Sequence, residues 1–309
     1  MEKAIIETTG LVKTFGKTVA LDGLNLRIPS GISGFIGENG SGKTTTIGIL
    51  LGLLKPNCGK ASIFGLDCWH DSFEIRQRLG AMHEINSCPG NFTGKLFLHH
   101  VASIYGVIQP KQRVEEILND VGLGSVKDKP VKTYSAGMIR RLGLAQALIG
   151  NPELAILDEP TANIDPLGRM ALLERIRALH RDHGTNFLIS THILSDLEKI
   201  CDWVSIISKG KLMEQGHIKD LASKYSASIY RIEVSDPEIF LEKIRQLGVV
   251  ERAWIESRIV YCKVRDTKTF CESIPSLVAN LNLKLSDFRP ILSTIEEIYK
   301  EVSIGKKAA

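Results

Sequence analysis

The sequence predicts an α/β chain in two parts, and three observations carry that reading. Strand-like and helix-like segments alternate from the N-terminus onward. A glycine-rich turn, Gly37 to Thr44, joins a short apolar strand to a helix. After about Tyr225 the pattern restarts as strand, helix, two strands, helix, strand. At 309 residues the chain is longer than one core usually serves. The boundary is placed after Tyr225, giving domains of 1–225 and 226–309.

Ala4 to Thr8 is rich in β-branched residues and reads as a strand. Leu24, Leu26 and Ile28 alternate with polar residues and read as a half-buried second strand. Gly34 to Ile36 is a short apolar strand, Thr44 to Leu54 a helix stopped by Pro56, and Lys60 to Phe64 a strand. From about Asp71 to Gly150 the chain reads as mostly helical. Lys95–Tyr105, Lys111–Val121 and Ala136–Ile149 carry apolar residues at helical spacing. Leu154–Leu157 is a buried strand, Pro166–His183 a helix with proline in its first turn, and Phe187–Ser190 another buried strand. Val204–Ser208 and Lys211–Glu214 form a hairpin around Lys209-Gly210. Beyond Tyr225 come Ser228–Val234, Pro237–Leu247, Val249–Ile255, Arg258–Val264, Thr267–Asn280 and Leu283–Phe288. That β-α-β-β-α-β order predicts a small α+β domain of ferredoxin-like arrangement. A last helix is expected over Leu292–Val302, with a frayed tail from Gly305 to Ala309.

Composition limits the classes. Apolar residues make up 43% and charged residues 24%, ordinary for a globular protein. A formal net charge of +4 argues neither for nor against nucleic acid, and no nucleic acid is expected as a partner. The six cysteines include no C-x-x-C pair, so they read as free buried thiols in a reducing compartment. The N-terminus lacks the basic start and apolar stretch of a signal peptide. The longest apolar run, Ile47 to Leu54, is far short of the ~18 residues a membrane helix needs. The chain itself is therefore not expected to span a membrane.

Chemistry concentrates in two segments. Gly37-Glu38-Asn39-Gly40-Ser41-Gly42-Lys43-Thr44 fits G-x-x-x-x-G-K-[ST] in the strand-to-helix context that the motif requires. Its glycines let backbone N–H groups curl around phosphate oxygens, and the helix turns its positive end toward the same anion. Lys43 reaches the β- and γ-phosphates of ATP, Thr44 ligates Mg²⁺, and Thr45 completes the loop's contacts. The second segment, Ala155-Ile156-Leu157-Asp158-Glu159, brings Asp158 to a strand end where it can help hold Mg²⁺. Glu159, one residue on, is the candidate general base that aligns the attacking water.

Two further segments make the pattern specific. Tyr134-Ser135-Ala136-Gly137-Met138 resembles the LSGGQ signature of ABC ATPases, and Ile189-Ser190-Thr191-His192 resembles their histidine switch. The order of phosphate loop, signature, acidic strand and histidine resembles an ABC cassette over about Met1 to Tyr225. The resemblance implies a P-loop core with a β-rich edge and a helical arm carrying the signature. It implies two cassettes, a homodimer or a pair with a paralogue, closing head to tail. ATP would lie between the phosphate loop of one and Ser135 and Gly137 of the other. It further implies that His192 binds the γ-phosphate or holds the water. Asp165, in Thr161-Ala162-Asn163-Ile164-Asp165, is similar to the D-loop that crosses the dimer interface. Phe15, in Lys13-Thr14-Phe15-Gly16, resembles the aromatic that stacks on adenine, although a core role is also open to it.

The sequence departs from the family in places. Glu84, in Ala81-Met82-His83-Glu84, stands where the family usually has a glutamine that contacts Mg²⁺. A carboxylate can also ligate Mg²⁺, but it adds negative charge near the γ-phosphate. Ala136 and Met138 replace signature residues, while the serine and central glycine remain. The signature variant, Glu84 and the closing Ser293-Thr294-Ile295-Glu296-Glu297-Ile298-Tyr299 resemble exporter cassettes that pair with a separate integral membrane permease. The resemblance therefore implies ATP hydrolysis driving export, at the cytoplasmic face of the membrane. A second reading is a soluble ABC ATPase whose C-terminal domain senses a ligand. The ferredoxin-like arrangement alone does not choose between them.

Overall fold

The computed structural model describes residues 4–84, 88–225, 229–291 and 294–305. The expected strand start at Ser228, helix start at Leu292 and tail at Lys306–Ala309 lie outside those residues. Contacts divide the chain into two units: Met1–Ile218 with Val302–Ala309, and Lys219–Glu301.

The first unit opens with an antiparallel sheet. Strand β1 (Ala4–Phe15) pairs with β2 (Thr18–Pro29) and β4 (Cys58–Ile63), and β4 with β5 (Leu66–Asp67). β1 runs well past the expected Thr8. Register shifts between Thr8 and Thr14 and a left-handed Gly10 break the alternation by which a strand is recognised. Strand β3 (Ile32–Ile36), buried throughout, leads into α1 (Lys43–Leu50). That helix ends before the expected Leu54, because Gly52 adopts φ 67° and its N–H closes the last turn on the Ile49 carbonyl.

The next stretch holds α2 (Ser72–Gln77), β6 (Leu79–Met82), α3 (Gly94–Ile104), α4 (Pro110–Asp120) and α5 (Ala136–Leu148). Strand β6 corrects the mostly helical expectation. Its four residues carry no β-branched side chain, so propensity does not mark them. Gly80 is needed there, since a Cβ would lie 1.9 Å from the Ala147 carbonyl oxygen.

The chain continues through β7 (Leu154–Asp158), α6 (Pro166–His183), β8 (Asn186–Thr191), α7 (Leu194–Ile200), β9 (Trp203–Ser208), β10 (Lys211–His217) and α8 (Ile218–Tyr225). The six-stranded sheet has the order β10-β9-β3-β8-β7-β6, parallel except for the β9–β10 hairpin. One core joins Leu11, Leu21 and Leu24 of the antiparallel sheet to Ile47 and Leu50 of α1 and to Phe35, Ile156 and Leu188 of the parallel sheet. That packing seats α1 firmly at the end of β3.

The second unit contains β11 (Ile229–Val234), α9 (Pro237–Ile244), β12 (Val250–Glu256), β13 (Ile259–Val264), α10 (Thr267–Asn280) and β14 (Leu285–Pro290). Its sheet is antiparallel, in the order β12-β13-β11-β14. Alternate residues of β11 and β13 are buried against Phe240, Ile244, Phe270 and Ile274 of the two helices. A final helix, α11, covers Ile295–Gly305. Among the cysteines, Cys68, Cys201 and Cys262 are buried, whereas Cys58 is exposed, contrary to the expectation for all six.

Candidate nucleotide site

Four of the five parallel strands deliver residues to one side of the six-stranded sheet, where loops and helix N-termini gather in α/β folds. β3 passes into the glycine-rich loop, β8 into His192, β7 into Glu159 and β6 into the segment holding Glu84. Together they enclose a cavity of about 510 Å³. Phe15, Glu38, Asn39, Gly40, Gly42, Lys43, Thr44, Thr45, Glu84, Asp158, Glu159 and His192 all line it. Phe15 is 48% exposed at the end of β1, so the core alternative for this ring does not hold.

The loop is built to leave no room for side chains. A Cβ on Gly37 would lie 2.3 Å from Ser41 Oγ, and one on Gly42, at φ 107°, 2.8 Å from the Ala20 carbonyl oxygen. Gly210, at the turn of the β9–β10 hairpin, supports the loop from behind. It donates its N–H to the Ser41 carbonyl at 2.9 Å and accepts from the Asp22 N–H at 3.0 Å. Lys43 is buried, and its Nζ donates to the Gly37 carbonyl at 2.6 Å. Burial lowers its pKa, while Glu159, Asp158 and Glu84 pull the other way.

Asp158 and Glu159 are both buried. The Ser190 hydroxyl donates to Asp158 Oδ1 across β7 and β8. Glu159 adopts φ 47°, a conformation that costs a non-glycine residue about 1–3 kcal/mol. Its N–H donates to the Ser190 carbonyl at 3.0 Å, which helps hold the turn. His192 Nδ1 lies 3.0 Å from each Glu159 carboxylate oxygen. Where the carboxylate is ionised it can only accept, so the contact then takes the Nδ1–H tautomer of His192.

Ser135, Gly137 and Asp165 do not line this cavity. Ser135 caps α5 and accepts from the Met138 N–H, and Asp165 caps α6 and accepts from the Gly168 N–H. A Cβ on Gly137 would lie 3.6 Å from Ile164, so the two segments are neighbours. Sequence reasoning missed Thr18, Val19, Ala20 and Ala162 in the cavity wall, and Ser190 as the partner of Asp158. Ser190 stood inside the Ser-Thr-His segment, but nothing local marks a cross-strand partner.

The donor set would suit Mg²⁺. Thr44 and Asp158 offer hydroxyl and carboxylate oxygens, as Mg²⁺ prefers. The Ser41 hydroxyl is buried in the loop without a hydrogen-bond partner among the described residues. Loop, lysine and paired acids at the strand ends define a P-loop nucleotide-binding protein.

The family model described as ABC transporter matches residues 21–162. The chain is 42% identical over 225 residues to the bacitracin transport ATP-binding protein BcrA of Bacillus licheniformis, covering 72% of this chain and 73% of that one. It is 31% identical over 301 residues to the daunorubicin/doxorubicin resistance ATP-binding protein DrrA of Streptomyces peucetius, covering 95% and 91%. A solved structure described as the ATP binding subunit of an ABC transporter superposes with a TM-score of 0.63 at 26% identity, covering 72% of this chain and 93% of that one. The chain belongs to the ATP-binding proteins of ABC transporters, and its activity is ATP hydrolysis coupled to transport.

Proposed function

We propose that the chain energises drug or antibiotic export through a separate membrane permease, by ATP hydrolysis at a site shared between two cassettes. The observation that carries the shared site is the split described above. One cavity gathers the phosphate loop, both acids and His192, while Ser135, Gly137 and Asp165 lie outside it. The names of the bacitracin and daunorubicin relatives support the substrate class.

In this reading Phe15 stacks on adenine and the loop amides hold the phosphates. Lys43 displaces its bond to the Gly37 carbonyl for a phosphate oxygen. Thr44 and Asp158 hold Mg²⁺, with Glu84 beside them, and the ion supplies neutralisation of phosphate charge when bound. Glu159 takes a proton from water as its oxygen bonds the γ-phosphorus and the bond to the β-phosphate oxygen breaks. His192 holds Glu159 in place through Nδ1. Ser135 and Gly137 then meet the γ-phosphate of the partner's ATP.

The permease docks, in the same reading, at an apolar groove of about 610 Å³ that includes Leu53, Phe73, Ile104 and Tyr105. Phe73 is 73% and Ile104 72% exposed there, and the lining reaches His83, next to Glu84. Such docking places the cassette on the cytoplasmic face of the membrane. No described helix is long and apolar enough to cross it. The strand order β12-β13-β11-β14 supports a ferredoxin-like reading of the second unit, as an accessory domain.

Gly137→Asp tests the shared site. The added Cβ has room, so the fold should tolerate it, while the carboxylate faces the partner's phosphate. ATP affinity should stay within about threefold and turnover fall at least roughly tenfold. Undiminished phosphate release would overturn the shared site.

A further inference from the structure

Arg140 sits in the first half of α5 and is only 7% exposed. Its Nε donates to the Ala162 carbonyl at 3.2 Å, and its Nη1 donates to the Glu84 carbonyl. Ala162 and Glu84 both line the nucleotide cavity. The Ala162 N–H in turn donates to the Glu159 carbonyl at 3.2 Å, so the turn gripped by Arg140 is the one that begins at Glu159. One side chain thus reaches from the helix headed by Ser135 and Gly137 to two separate walls of the site.

Its chemistry suits that task. Burying a guanidinium costs solvation, a cost that two carbonyl acceptors and the nearby charges of Glu84 and Glu159 offset only in part. A planar guanidinium aims several fixed donors in different directions, whereas an ammonium offers one point of charge on a flexible stem. The neighbouring Arg141 is a natural contrast. It donates to the Gly122 carbonyl at 2.9 Å, away from the cavity.

We propose that Arg140 is a positioning residue for hydrolysis, holding the Glu84 segment and the Glu159–Ala162 turn in fixed relation to the signature helix. The inference rests on the reading of Glu159 as the base. Displacing a base by about 1 Å can cost on the order of a hundredfold in rate while leaving ligand contacts elsewhere intact. Arg140 should therefore matter for turnover more than for ATP binding.

The test compares Arg140→Lys and Arg140→Met in the full chain, with Arg141→Met and Glu159→Gln alongside. Phosphate release is measured with Mg-ATP, and ATP affinity by calorimetry, at a temperature where circular dichroism shows each variant folded. Both Arg140 variants should lose at least roughly tenfold in kcat with the ATP Kd within about threefold, and Arg141→Met should match the unmodified chain. If either Arg140 variant keeps its kcat, or if kcat and affinity fall together, the positioning role is overturned. Met tests the whole contact and Lys the fork alone, so a poorly folded Met variant still leaves a decisive result. Turnover persisting in Glu159→Gln overturns the reading of the base, and this inference with it, whatever Arg140 does.

Discussion

The strand ends of the six-stranded sheet and the sheet of the second unit use burial in opposite ways. Near the nucleotide cavity Lys43, Asp158, Glu159, Ser190 and Thr191 are all buried. In the second unit every buried residue among those described is apolar, Cys262 or Tyr230. Its charged cluster of Arg231, Glu233 and Asp287 stays partly exposed. Buried charge is expensive unless matched, and Glu159 adds a strained backbone to that expense. The contrast teaches where stability has been given up for chemistry. The first region carries polar groups that a ligand can satisfy, and the second carries a core that satisfies itself.

The comparison is open to direct attack. Glu159→Gln keeps the side chain's shape and removes its basicity. Turnover should fall by about 10²–10⁴ with ATP still bound, and phosphate release at the unmodified rate would remove Glu159 from the chemistry. In the second unit Phe270 is fully buried against Tyr230 and Phe288. Phe270→Ala should cost about 3–5 kcal/mol in urea unfolding followed by circular dichroism. ATP affinity should not change, and a matching loss of affinity would break the separation between the regions. The smallest effect concerns Lys43. Its folded pKa lies below the usual 10.5, so between the two values the unfolded chain binds more protons. Stability without nucleotide should therefore rise with pH as that interval is crossed toward 10.5. Lys43→Ala should flatten this rise and weaken ATP binding, both measurable by thermal melts across pH with and without Mg-ATP.

Local signals account for most of what could be read in advance. α6 and α10 match their expected spans, Pro166–His183 and Thr267–Asn280, because caps and apolar spacing agree along each. The phosphate loop, the Asp158-Glu159 pair and His192 were legible for a similar reason, since each is a contiguous motif at a strand end. What escaped depends on distant partners. β6 exists because it pairs with β7 and packs under α5, yet four residues with no β-branched side chain announce nothing. Helices α7 and α8 are a few residues long and sit beside stronger strand patterns. Arg140 is 22 residues from Ala162 and 56 from Glu84, so its role arises only once the chain is folded. Ser190 and Asp158, 32 residues apart, meet for the same reason.

The turn at Gly210 carries a consequence for anyone engineering this chain. Hairpin tips are the usual places for tags, labels and inserted domains, since they tolerate added residues. This tip is wedged between Ser41 and Asp22, and a single methyl group on it would sit 2.6 Å from the Ala20 carbonyl oxygen. It behaves as a keystone and not as a free end. A fluorophore or affinity sequence placed there would report on, and damage, a loop some 170 residues away in sequence. A fusion partner is better carried elsewhere on the surface.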